Sequence, residues 1–111
     1  MCGISGVYNF DGSDLDYSDL ETMNNALIHR GPDYGNIFIH GHVGLTHRRL
    51  SIIDLSEAGN QPMHTEDKRF TIVYNGEVYN FKEIRENLKA YGISFVSNTD
   101  TEVVLKAYEL W

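Results

Sequence analysis

Helix-start signals divide this chain into short pieces, and that punctuation constrains its fold more than any other feature. Ser18-Asp19-Leu20-Glu21 and Asn80-Phe81-Lys82-Glu83 both carry the capping-box pattern. In it a polar side chain and a Glu three residues later satisfy each other's free backbone N–H groups. Thr99-Asp100-Thr101-Glu102 opens a third helix through Val103, Leu105, Ala107, Leu110 and Trp111. Leu20, Met23, Leu27 and Ile28 repeat at helical spacing after the first signal, and Gly31-Pro32 ends that helix. Ile84, Leu88 and Tyr91 share one side of the second helix, which Gly92 stops. Short β segments fill the intervals. They are Ile4–Phe10 before the turn Asp11-Gly12, Ile37–His40 and Val43–His47 around Gly41, Phe70–Tyr74 and Glu77–Tyr79 around Asn75-Gly76, and Ile93–Val96.

The third helix has no stop signal before Trp111, and the strands are too few and short to cover three helices. Residues 1–111 are therefore expected to be part of a longer domain. The 111 residues hold 9 Lys+Arg against 16 Asp+Glu, a net charge of −7, with no basic run. Such a chain is a poor partner for nucleic acid or an anionic membrane. Apolar residues at 41% and aromatics at 12% are globular values, above those of disordered chains. No apolar stretch is long enough to span a bilayer, and Met1 to Gly6 lacks the build of a signal peptide. One cysteine makes no internal disulfide. The expectation is a cytoplasmic domain.

Cys2 is the first candidate for chemistry. Once the initiator Met is removed, it carries a nucleophile and its own base, an α-amine of pKa about 7.7–8.0 beside a thiol of about 8.5. The competing reading is an incidental buried cysteine. Asn75-Gly76 is the second, because a carboxamide beside a Gly N–H can stabilise an oxyanion; an ordinary hairpin turn uses the same pair. Arg49, Glu77 and Asp100 form the third set. A guanidinium fork matches a carboxylate and two acids can hold an ammonium, which together suit the head of an amino acid. Each alone reads first as a solvated surface charge. His40, His42 and His47 suggest metal only weakly, because no Cys pair or His-Glu-x-x-His pattern accompanies them; no metal site is expected.

The order of these signals is specific. Met1-Cys2-Gly3-Ile4-x-Gly6, His29-Arg30-Gly31-Pro32-Asp33, Arg49-Leu50-Ser51-Ile52-Ile53-Asp54, Gln61-Pro62, Asn75-Gly76-Glu77-Val78-Tyr79-Asn80 and Asp100-Thr101-Glu102-Val103 follow one another along the chain. This series resembles the glutaminase domain of class II glutamine amidotransferases, and within it most nearly the glutamine-hydrolysing asparagine synthetases. Val78 stands where Ile is commoner, and Asn98-Thr99 replaces the usual Gly/Ser pair before Asp100. Neither change touches a functional position.

The resemblance implies an α+β fold, the N-terminal nucleophile hydrolase sandwich of four layers (αββα) with antiparallel sheets, incomplete in this stretch. It implies that residues 1–111 are the N-terminal part of a type-2 glutamine amidotransferase domain, followed by the rest of that domain and a C-terminal synthetase domain. Cys2 would be the nucleophile and its freed amine the base. Asn75 and Gly76 would form the oxyanion hole, Arg49 would grip the α-carboxylate of L-glutamine, and Glu77 and Asp100 its α-amine. The backbone of Leu50, Ser51, Ile52 and Ile53 would line the same pocket, while Arg30 to Asp33 would organise the loop near Cys2.

The glutaminase step would need no cofactor. ATP and Mg²⁺ would serve the synthetase domain, where ammonia amidates L-aspartate, and a homodimer stays open. Two alternatives stand beside this reading. One is an amidotransferase serving a sugar, a polysaccharide intermediate or a secondary metabolite. The other is a glutaminase-like module without catalysis. Because catalytic groups must sit within about half an ångström of productive geometry, the isolated piece is expected to be poorly active.

Overall fold

The computed structural model describes residues 2–111, and Met1 lies outside it. Strands β1 (Gly3–Tyr8), β2 (Tyr34–His40) and β3 (Val43–Arg49) form an antiparallel sheet in the order β1-β3-β2. β2 and β3 are joined by the two residues Gly41-His42, with His40 paired to Val43. Gly41 has φ +61°, the backbone sign at the first central position of a type II′ hairpin, where glycine carries no Cβ penalty. β1 lies along the other side of β3 with Gly3 opposite Arg48 and Ile4 opposite His47. That register fixes where the chain's second residue sits.

Helix α1 (Tyr17–Ala26) packs across all three strands. Its Leu20 is fully buried, and Gly44 on β3 lets the Leu20 and Leu15 side chains approach the sheet. The opposite face of the sheet carries His47 and Phe38. Phe38 meets His64 edge-on at 4.8 Å, which brings in a second, two-stranded ribbon of β4 (Met63–His64) and β5 (Thr71–Ile72). Helices α2 (Phe81–Ala90) and α3 (Asp100–Leu110) pack together, and α3 contacts β5. The described elements thus form an α+β arrangement of antiparallel sheets and helices, as expected.

Several local expectations fail, two of them because a side chain supplies the hydrogen bond before a ladder or a box can. The first helix starts two residues early, because Asp16 accepts the Ser18 N–H at 3.0 Å and the Ser18 hydroxyl at 2.8 Å. It therefore caps the helix in place of Ser18. The expected box at Asn80 is a helix boundary without a side-chain capping bond. Ile93–Val96 is not a strand, since the N–H groups of Val96 and Ser97 go to the Glu102 carboxylate at 3.0 and 2.7 Å. Glu77–Tyr79 is likewise irregular, and β5 ends at Ile72 rather than Tyr74. Thr99 does cap α3, accepting the Glu102 N–H at 3.2 Å.

The first helix also closes before Gly31-Pro32. Its chain tightens into turns of i→i−3 bonds, with Leu27 N–H donating to Asn24 and Ile28 N–H to Asn25. Ile28 and Tyr91, expected on apolar faces, are exposed. The buried apolar residues are Leu20, Leu88, Val103 and Leu105, outnumbered by buried polar ones that include His47, Arg49, Asp54, Gln61, Thr99, Asp100 and Thr101. Buried polar groups require partners, and most of these find them around one cavity.

Candidate active site

The sheet register places Cys2 one step beyond the Gly3–Arg48 pair, at the end of β3 where Arg49 gives way to Leu50. The Leu50 N–H donates to Cys2 Sγ at 3.3 Å, and the thiol faces the Leu50 carbonyl at 3.7 Å. Arg30 Nε donates to the Cys2 carbonyl at 3.1 Å, and Arg48 Nε to the Gly31 carbonyl at 2.9 Å. Gly31 passes so close to β3 that a Cβ built on it would lie 2.3 Å from the Arg48 carbonyl atoms. Asp33 joins the same frame, donating its N–H to the Arg49 carbonyl at 3.0 Å and accepting the Ser51 N–H at 2.8 Å. The His29–Asp33 segment is thereby bonded to residues 2 and 48–51 together.

Cys2 opens onto a cavity of about 460 Å³. Arg49, Leu50, Ile52, Ile53, Asn75, Gly76, Glu77 and Asp100 all line it. Ser51 does not; its N–H is turned to Asp33 instead. Residues separated by as many as 98 positions thus share one wall.

Arg49 is 6% exposed. Its Nη1 donates to the Ser56 carbonyl at 2.5 Å and to Asn60 Oδ1 at 2.8 Å, and its Nη2 to the Asp54 carbonyl. All three partners are neutral groups, and among the described residues no carboxylate oxygen lies within 4.0 Å of its nitrogens. The guanidinium charge is held in position but not neutralised, which suits it to an anion. Asp100, the first residue of α3, is buried and accepts the Val78 N–H at 3.0 Å through Oδ2. That bond ties the acid to the segment bearing Glu77, which is exposed toward solvent.

Several wall residues carry no motif signal of their own. Tyr74 brings its phenol against Gly76, where an added Cβ would lie 2.8 Å from the hydroxyl. Burial, then the negative charges of Asp100 and Glu77, push the Tyr74 phenol up. Asp54 accepts the Ser56 N–H at 2.8 Å and the Asn98 N–H at 2.8 Å. Hydrogen bonds from Ser56 and Asn98 lower its carboxyl to about 2, so it is a fixed anion that braces the loop after Arg49. Gln61 accepts the Tyr74 N–H at 2.6 Å and donates to Thr101 Oγ1 at 3.1 Å. Asp54 and Gln61 do stand in the sequence blocks quoted above; what those blocks lack is any sign of which partner each would take.

An α+β frame of antiparallel sheets with a cysteine at the head of its first strand is the arrangement expected of an N-terminal nucleophile hydrolase. Residues 1–111 match the family model described as a glutamine amidotransferase domain, and the chain belongs to that family. It is 46% identical over 111 residues to "Asparagine synthetase [glutamine-hydrolyzing] 1" of Bacillus subtilis (strain 168), covering 97% of this chain and 17% of that protein. It is 42% identical over 126 residues to "Putative asparagine synthetase [glutamine-hydrolyzing] 2" of Methanocaldococcus jannaschii, covering 97% of this chain and 24% of that protein. "Amidase chry2" of Gibberella zeae is 42% identical over 122 residues, 98% of this chain and 18% of that protein. The chain therefore spans about a fifth of the length of these relatives. Among its described residues, no helix is long and apolar enough to cross a membrane.

Proposed function

We propose that residues 1–111 are the N-terminal part of the glutaminase domain of a cytoplasmic, glutamine-hydrolysing asparagine synthetase. The observation that carries this reading is the single cavity that gathers Cys2, Arg49, Asn75, Gly76, Glu77 and Asp100. Arg49 takes the α-carboxylate of L-glutamine, and Glu77 with Asp100 takes the α-ammonium, which leaves the side-chain amide directed at Cys2. Removal of Met1, a step outside the described residues, frees the Cys2 amine to accept the thiol proton. The thiolate attacks the amide carbon. The Asn75 carboxamide and Gly76 N–H stabilise the oxyanion. Collapse of the intermediate breaks the C–N bond, the protonated α-amine returns its proton to the leaving nitrogen, and ammonia departs. Water then hydrolyses the γ-glutamyl thioester.

Ammonia is consumed in a C-terminal domain that uses ATP and Mg²⁺ to amidate L-aspartate. Among the described residues no group of three or more His, Cys, Asp or Glu side chains converges as a metal site. Support comes from the names of the two synthetase relatives and from their greater length.

The test is Cys2→Ala in the full-length polypeptide. Glutamine-dependent asparagine formation is lost and ammonia-dependent formation is retained. Equal loss of both would show that the division into two sites is wrong. Glutamine hydrolysis with no asparagine formed at all would point instead to another ammonia acceptor.

A further inference from the structure

The oxyanion segment of the cavity wall belongs to no helix or strand. β5 ends at Ile72, and its ladder partners are Met63 and His64 only. Tyr74 therefore lies past the ladder, and its N–H and C=O need other partners. Both find buried side chains. Gln61 Oε1 accepts the Tyr74 N–H at 2.6 Å, and His47 Nε2 meets the Tyr74 carbonyl at 3.3 Å. A carbonyl only accepts, so Nε2 carries the proton and donates. His47 is fully buried and Gln61 is 5% exposed, so neither bond competes with bulk water.

Each side chain is itself fixed. His47 sits in the central strand β3, opposite Ile4 on β1 and Asn36 on β2, and two residues before Arg49 on the same face. Gln61 donates to Thr101, the residue after Asp100 on α3. Tyr74 is thus held between the strand that carries Arg49 and the helix that carries Asp100. The next two residues are Asn75 and Gly76.

We propose that His47 and Gln61 are positioning residues that hold Tyr74 by its two backbone groups and so set the oxyanion hole formed by Asn75 and Gly76. This rests on the glutaminase reading above. An oxyanion hole stabilises a transition state only when its donors are aimed before the reaction begins. Two hydrogen bonds one peptide away give a short segment that stiffness without a sheet ladder. Neither side chain is hydrogen-bonded to the cavity thiol, whereas both are bonded to Tyr74.

The experiment compares four variants of the full-length polypeptide in glutamine hydrolysis. Gln61→Met and His47→Leu remove the acceptor and the donor at similar volume. Gln61→Glu keeps an acceptor for the Tyr74 N–H, and His47→Gln keeps a donor for its carbonyl. The removing variants are expected to lower kcat by about 10- to 100-fold with little change in KM. The conservative pair should recover to within about fivefold of the parent. Alkylation of Cys2 by iodoacetamide, which needs no oxyanion hole, should proceed at the parent rate in all four.

Unchanged kcat in both removing variants overturns the proposal. So does a parallel fall in alkylation, or failure of the conservative variants to rescue, since either marks a merely structural role. Should His47→Leu fail to fold, Gln61→Met decides alone. Cys2→Ala separates the two levels: residual glutamine hydrolysis there would defeat the glutaminase reading itself. An inactive Cys2→Ala beside a fully active Gln61→Met defeats only the clamp.

Discussion

The Leu50 N–H donates to Cys2 Sγ at 3.3 Å, across a sequence separation of 48 residues. A neutral thiol is a weak acceptor and a thiolate a strong one. The bond therefore fixes the sulfur at the cavity wall whichever form it takes. It follows from the antiparallel register of β1 on β3, which leaves no other place for the residue before Gly3.

The oxyanion hole is tested by Asn75→Ala. Loss of one hole donor is expected to lower the glutaminase kcat by roughly 10²–10³ with KM nearly constant. Steady-state glutamine hydrolysis reads both parameters, and a change confined to KM would assign Asn75 to ground-state binding.

Arg49→Lys keeps the charge but loses the planar fork, and a single ammonium cannot reach the Asp54 and Ser56 carbonyls, Asn60 and a substrate carboxylate together. One charge-assisted bond is worth about 1.5–3 kcal/mol, so KM for glutamine should rise by roughly 10- to 100-fold. Isothermal binding of glutamine to the Cys2→Ala protein gives the same quantity without turnover.

Gly31→Ala places a methyl where the Arg48 carbonyl atoms lie 2.3 Å away and the Arg49 nitrogen 2.6 Å away. These are backbone atoms of the central strand, so they cannot swing aside. Overpacking of this kind costs about 1–3 kcal/mol. The expected outcome is a lower Tm together with weaker glutamine binding, because Arg49 moves with its strand. An unchanged Tm would mean that the His29–Asp33 segment simply lifts away.

Stability should fall in two stages as pH is lowered. Burial, and then the Arg49 charge, hold His47 below its ordinary 6.5 at about 4, against the pull of its bond to Tyr74. The unfolded chain binds that proton first, so stability is full above pH 6.5 and declines as pH falls toward 4. Asp54 has its carboxyl lowered from 3.8 to about 2 by Ser56 and Asn98. Its contribution is present above pH 3.8 and is lost below, toward pH 2. Denaturant titrations at a series of pH values measure the slope, and His47→Gln should flatten the stage between pH 6.5 and 4 only.

The locally encoded features were readable from the sequence. Thr99 is followed by Glu102 at the spacing a cap requires, and that helix starts where expected. Gly41 marks the turn between β2 and β3, and Gly92 adopts the positive φ that ends α2. The cavity-lining residues Cys2, Arg49, Asn75, Gly76, Glu77 and Asp100 each sit in a short motif whose order along the chain is specific. Less legible were elements whose backbone bonds go to distant or competing side chains. Ser18 and Asp16 both offer a capping oxygen within two residues, and sequence does not rank them; Asp16 wins by binding the Ser18 N–H and hydroxyl together. Ile93–Val96 has strand composition, yet Glu102 takes the N–H groups a ladder would use.

Sequence by itself determined the chemistry on offer: which thiol, which amides, which charges, and the order in which their motifs follow along the chain. Only the tertiary structure decided that these groups share a cavity. It also showed that Arg49 is held by neutral carbonyls rather than paired, and that Tyr74 hangs between His47 and Gln61. The reason is range. Caps and turns are decided by neighbours a few positions apart, whereas the long-range bonds that join the segments of this site close loops of 13 to 48 residues, and their partners depend on how sheet, ribbon and helices come to rest on one another.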